Sequence, residues 1–172
     1  MAKQRKDIFI NRAIQRLTMT GVNVLSFQQL NFAVGVFQGV ALVIHRIIYH
    51  IGLQAWRETQ SDADSFIVAL TVSQNINDLN MTNIEIIDRH EYTGVVVGAV
   101  VSLLHAKIEV VSDFATLPEG GIIIPANPVF LGMSSAGLTT AGVIDAEIYF
   151  TFRELGDADY IELIQSRVQA NV

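Results

Sequence analysis

The sequence predicts an all-β chain, an antiparallel sandwich or jelly roll with short helices at its two ends. Three observations predict it. Apolar and polar residues alternate in "IDAEIYFTFRE" (144–154) and "LLHAKIEVV" (103–111). Roughly seven to nine β-rich runs are separated by polar or glycine-rich turns. Helical periodicity is confined to the termini.

Taken in order, "DIFINRAIQRL" (7–17) places Ile10, Ala13, Ile14 and Leu17 at helical spacing, with Arg5, Arg12 and Arg16 on another face. That spacing predicts a short basic amphipathic helix. After Gly21 the pattern turns to β. "VALVIHRIIYHIG" (40–52) sets Ile47, Tyr49 and Ile51 against Arg46 and His50, and "SFIVALTVSQ" (65–74) is a second strand, ended by the polar "NINDLN". "TGVVVGAVVS" (93–102) does not alternate, so burial on both faces is expected, the second by a neighbouring subunit. All three prolines, Pro118, Pro125 and Pro128, bracket the apolar triplets 122–124 and 129–131. Proline cannot donate to a ladder, so 122–124 and 129–133 are predicted to be distinct strands with a corner between them. "GDADYIELIQSRVQ" (156–169) predicts a C-terminal helix, with Asp157 as N-cap and Tyr160, Ile161, Ile164 and Val168 as its stripe.

A length of 172 residues fits one domain. The expected division is an N-terminal arm at 1–20, a β body at 21–156, and a helix and tail at 157–172. Composition is unusually apolar, with 51% hydrophobic and only 16% charged residues and a mean hydropathy of +0.40; soluble domains carry about 25% charge. The surplus must meet a membrane or other subunits. The apolar core of the longest uncharged stretch, Phe32 to Ile44, spans 13 residues and contains Gln38. It falls short of the roughly 20 that a spanning helix requires, which leaves subunit contact. No signal peptide is read, because the basic start is followed by Asp7, Asn11, Arg12 and Arg16. The lack of cysteine excludes disulfides and thiol chemistry. Residues 1–16 carry a net charge of +4 and the rest −10, so a basic arm precedes an acidic body.

Catalytic signatures are weak. The four histidines, His45, His50, His90 and His105, form no metal-ligand spacing, and His45 and His50, five apart on a strand, should face opposite sides. "DRHE" (88–91) gathers Asp88, His90 and Glu91, but a triad is assembled by tertiary geometry, not by adjacency. "GMSSAG" (132–137) lacks the final glycine of a nucleophile elbow and reads as a turn between strands. Glu58, Asp62 and Asp64 lie in a polar loop without calcium-loop spacing. Asn80-Met81-Thr82 is a formal glycosylation sequon. No cofactor motif is present.

The combination of basic arm, apolar all-β body and the stretch "DFATLPEGGIIIPANPVFLGMSSAGLTTAGVIDAEIYFTFREL" (113–155) resembles the single jelly-roll capsid proteins of icosahedral viruses. In length the chain is similar to small capsid proteins of tailless prokaryotic viruses. The resemblance implies a jelly roll that self-assembles into a shell in the host cytoplasm and resides in the virion. Val95, Val96, Val97, Val100 and Val101 would be interface or core, and Lys3, Arg5, Lys6, Arg12 and Arg16 an inward-facing arm. Implied partners are further copies, a second capsid protein, and nucleic acid or an internal membrane touched by the arm. Two other readings stand beside it: a trimeric jelly-roll binding module of the tumour-necrosis-factor or C1q type, and a β-sandwich enzyme built around Asp88, His90 and Glu91.

Overall fold

The computed structural model describes residues 9–32, 40–52, 64–93, 108–125 and 128–169. Among them lie nine strands: β1 (Asn11–Thr18), β2 (Ser26–Gln29), β3 (Val40–Ile51), β4 (Ser65–Thr71), β5 (Ile86–Thr93), β6 (Ile108–Asp113), β7 (Ile122–Pro125), β8 (Phe130–Ala136) and β9 (Val143–Glu154). One helix, α1 (Asp157–Gln169), follows. Sheet A has the order β1-β9-β3-β6, with β7 also on β3, and sheet B the order β2-β8-β4-β5. All pairings are antiparallel.

Setting the short β7 aside leaves eight strands whose pairs nest: first with last (β1 with β9), second with seventh (β2 with β8), third with sixth (β3 with β6), fourth with fifth (β4 with β5). This is one long hairpin wrapped so that its pairs fall alternately in two sheets, which is a single jelly roll. The core fills the space between the sheets. Leu42, Ile44, Ile47 and Tyr49 of β3 and Ile144, Ala146, Ile148 and Phe150 of β9 meet Phe66, Val68 and Leu70 of β4 and Leu131 and Met133 of β8. Each such large side chain taken out of water contributes about 1.5–3 kcal/mol.

The predicted N-terminal helix is not formed. Residues 11–18 are strand β1, paired with β9 from Asn11↔Phe150 to Thr18↔Val143. Arg12, Ile14 and Arg16 point outward while Leu17 is buried. The apolar residues fit a helical wheel better than a strand, since Ile14 and Leu17 fall on opposite faces of β1, but the long alternating β9 supplies a ladder that a lone short helix cannot match. The sheet therefore begins inside the segment expected as an arm.

The proline prediction holds. β7 and β8 are separate strands in opposite sheets, β7 on β3 and β8 between β2 and β4. Pro118 opens a turn from Leu117 to Gly120, closed by Gly120 N–H donating to Leu117 O at 2.9 Å, with Glu119 in the left-handed region at φ 70°. Pro125 ends β7, and Pro128 is exposed just ahead of β8. This turn explains a break in β3. The first half of β3 pairs with β7 (Ala41–Ile44) and the second with β6 (Arg46–Ile51), and its register against β9 slips at His45. The bulged His45 holds the crossing loop: its carbonyl accepts from Phe114 N–H at 2.8 Å, and its Nδ1 lies 2.7 Å from Gly120 O. A bulge shifts side-chain parity by one. His45, 2.9 Å from Thr151 Oγ1, therefore falls on the same outer face as His50, not on the opposite one.

"GMSSAG" is likewise not a turn. Most of it belongs to β8, and the turn begins at Gly137, at φ 79°. Gly132 is small because a Cβ there would sit 2.9 Å from the Phe27 ring on the adjoining strand. The C-terminal helix forms as expected, with one change at its start: Tyr160 N–H donates to Gly156 O, so Gly156 caps it and Asp157 and Asp159 occupy the first turn. Ile161 is exposed and Tyr160 half-buried.

Candidate functional site

The two outer faces of the roll differ. Sheet B is covered by its own β4–β5 loop, residues 72–85. Ile76 and Leu79 of that loop pack with Ala69, Ile67, Leu25 and Phe27 to form a second small core on the far side of the sheet. The asparagine-rich sequence suits this course, because Asp78, Asn80 and Asn83 each accept a backbone N–H two residues on, from Asn80, Thr82 and Glu85. Arg89 donates to Leu79 O and ties the loop down. An open groove of about 610 Å³ borders the loop, and part of its polar lining is engaged: Arg89 also pairs with Glu91, and Asn23 bonds Leu138 and Ser135. The sequon residue Asn80 sits exposed at the turn closed by Asn83 N–H to Asn80 O.

Sheet A is covered at its β7 end, where Ala41, Val43 and Thr151 are buried and the 114–121 loop lies against His45, but from Arg46 to Ile51 of β3 no such cover is found among the described residues. Its outer face is ordered in transverse rows by the register. One row runs Arg16, Asp145, His50, Glu109; the next Ile14, Glu147, Ile48, Val111; the third Arg12, Tyr149, Arg46, Asp113. The middle row presents large apolar side chains to solvent, with Ile14 59% and Val111 51% exposed. Phe9 and Ile10, just ahead of β1, are exposed as well.

The charges around this row are paired within the subunit. Arg16 grips Asp145 with two bonds of 2.7 and 2.8 Å, and Arg12 reaches Glu147 at 2.7 Å. Arg46 bonds Asp113, and Arg153 bonds Glu119 at 2.6 Å. His50 Nε2 lies 3.1 Å from Glu147; its Nδ1 is 3.2 Å from Glu109 but off the hydrogen-bonding direction. These contacts shift the carboxyls. The Arg16 hydrogen bond holds Asp145 below its usual range, and the Arg12 bond does the same for Glu147. Asp113 is lowered first by Ala115 N–H and then by Arg46. The two arginines are raised in turn by their partners.

A polar seam closes one side of the sandwich, where β5 of sheet B faces β3 and β6 of sheet A. Asp88 Oδ2 accepts from Tyr49 OH at 3.0 Å and from Ser112 Oγ at 2.7 Å, while His90 Nε2 lies 2.8 Å from Ser112 Oγ and 3.4 Å from Asp88. Tyr49 is fully buried, and burial followed by the charge of Asp88 pushes its hydroxyl well up. Tyr92 is raised for the same two reasons. Serine, histidine and aspartate thus meet, but in the wrong order for a nucleophilic relay. The same ring nitrogen of His90 faces both partners, and the serine proton goes to Asp88, whereas a relay needs aspartate on the far nitrogen and serine donating to the near one. Glu91 points the other way, to Arg89. The arrangement ties the two sheets together.

Of the other residues singled out, Val95, Val96, Val97, Val100 and Val101, Lys3, Arg5, Lys6, His105, Glu58 and Asp62 lie outside the described residues. Arg12 and Arg16 belong to β1 of the sheet. Among the described residues no three of His, Asp and Glu are placed to hold a metal ion together, and no helix is long and apolar enough to cross a membrane. The transverse rows were missed in the sequence because they depend on which strands pair; the alternation within each strand was the available signal. The fold defines the class of the protein as a single jelly roll. Neither a protein-family model nor the sequence of a curated protein matches the chain.

Proposed function

We propose that the protein is a structural subunit that self-assembles into a viral capsid shell. The observation that carries this reading is the outer face of sheet A on a jelly-roll body, where Ile14, Ile48 and Val111 lie in one row among charges already paired within the subunit, Glu147 of that row with Arg12. Removing a lone charge from water is costly, and a prepaired one less so. A neighbour can therefore cover this face while Ile14, Ile48 and Val111 contribute to the contact, the core-and-rim pattern of protein interfaces. The low charge content of the chain favours the same reading. The basic segment ahead of β1, with Lys3, Arg5 and Lys6, is assigned to the interior, where it would meet nucleic acid or an internal membrane; Arg12 and Arg16 act in the sheet. Resident cofactors have no part in this role.

Light scattering and negative-stain electron microscopy of the purified chain test the proposal. Closed particles or capsomer rings are expected. A discrete trimer at all concentrations would point to a binding module instead, and a strict monomer would refute both.

A further inference from the structure

The two edges of sheet A carry opposite versions of one pattern. On β1 the outward side chains are Arg12, Ile14 and Arg16, basic–apolar–basic. On β6, at the other edge, they are Glu109, Val111 and Asp113, acidic–apolar–acidic. All six are exposed: Arg12 and Arg16 side chains to 49% and 69%, Glu109 and Asp113 to 47% and 41%. The register places them in the same three rows, Arg16 in line with Glu109, Ile14 with Val111, and Arg12 with Asp113. The triplets stand at opposite ends of a four-strand span, about 14 Å apart, so they do not meet within one subunit.

From this we infer that a second copy of the chain docks head-to-tail, the β1 edge of one subunit lying antiparallel beside the β6 edge of the next. Arg16 then faces the neighbour's Glu109, Ile14 its Val111, and Arg12 its Asp113. Geometry permits it: successive strands of sheet A alternate in direction, so β6 runs opposite to β1, and four strands, an even number, keep the antiparallel ladder in phase across the junction. Charge selects it. Pairing β1 with another β1 would oppose arginines, and pairing β6 with another β6 would oppose carboxylates, both unfavourable directly across a ladder. Only unlike edges match. A contact between different surfaces of identical subunits is heterologous and closes into rings or continues as a filament. The pattern also answers the hazard of an open edge, since each edge repels its own kind.

This inference rests on the self-assembly reading, and one set of proteins separates the two. The test compares the wild type, Arg12→Glu/Arg16→Glu, and Glu109→Lys/Asp113→Lys by sedimentation velocity, with circular dichroism as the folding check. Each variant alone is expected as a monomer, because all four triplet charges then have one sign. An equimolar mixture is expected to assemble, since each variant's β1 edge complements the other's β6 edge. Variants that assemble alone like the wild type, or folded variants whose mixture stays monomeric, would overturn the edge contact while leaving self-assembly intact. A wild type that never associates would overturn both. Should a charge-reversed chain fail to fold, Val111→Lys serves instead. It sits between Glu109 and Asp113 in its own subunit but confronts Arg12, Ile14 and Arg16 of the next, so at least a tenfold weakening of assembly is expected with an unchanged fold. Assembly at wild-type strength would refute the contact.

Discussion

Asp88→Ala is the most informative single change to the roll itself. Tyr49 is wholly buried, and its hydroxyl donates to Asp88 at 3.0 Å. Without the carboxylate that hydroxyl keeps its burial and loses its acceptor, at a cost of about 1–3 kcal/mol; Ser112 retains His90 as a partner. Tyr49→Phe removes the donor instead and leaves Asp88 bonded to Ser112, so it should cost less, about 1 kcal/mol. In the Tyr49→Phe background, Asp88→Ala no longer orphans the hydroxyl. A double-mutant cycle should therefore return a coupling of about 1.5 kcal/mol or more, the scale of a hydrogen bond to a charged group. Urea titrations at pH 7 measure it, and thermal melts should show Asp88→Ala lowered by roughly 4–8 °C for about 2 kcal/mol in a domain of this size. Additivity within about 0.5 kcal/mol would refute the seam as a tie between the sheets.

Other expectations follow from the same geometry. Gly121→Ala would bring a Cβ to 2.5 Å from Ile44 O, forcing β7 away from β3 beside the His45 bulge; a loss of about 1–3 kcal/mol in urea unfolding is expected. Ile148→Ala, at the fully buried centre of β9, should cost about 2–5 kcal/mol by the same measurement. Asp145, Glu147 and Asp113 have carboxyls held below their usual values, so their contribution is present above about pH 4 and is lost as pH falls through their folded-state values. Arg16→Gln should flatten that acid-side slope in melts between pH 5 and 2. The raised Tyr49 hydroxyl acts at the other end: its stabilisation is intact below about pH 10 and declines above it, and Tyr49→Phe should remove that alkaline decline.

What was legible in the sequence was whatever depends on local pattern. Alternation placed β9 and the second half of β3, and the prolines separated β7 from β8, because side-chain parity and a missing N–H are properties of single residues. Residues 11–17 misled for a physical reason. Ile10, Ile14 and Leu17 satisfy the helical period but not the strand period, Leu17 falling on the opposite face of β1 from the other two, and the deciding term is the ladder that β9 offers from about 130 residues away. The β2 and β5 strands went unread: β2 is four residues long, and β5 is mostly polar because it edges sheet B and carries the seam. The bulge at His45 was invisible for a related reason, since it exists to let one strand serve β6 and β7 in turn. The rows on sheet A were half legible. Arg12, Ile14 and Arg16 stood out as a basic and apolar cluster, yet their match to Glu109, Val111 and Asp113 appears only once β9 and β3 are laid between them.

The central claim is that this jelly roll is a self-assembling subunit, and particle mass tests it most directly. Sedimentation velocity of the purified 18.9 kDa chain, taken across a concentration series at near-physiological salt, should resolve a large discrete species in exchange with subunits. A single monomeric boundary at every concentration would contradict the account.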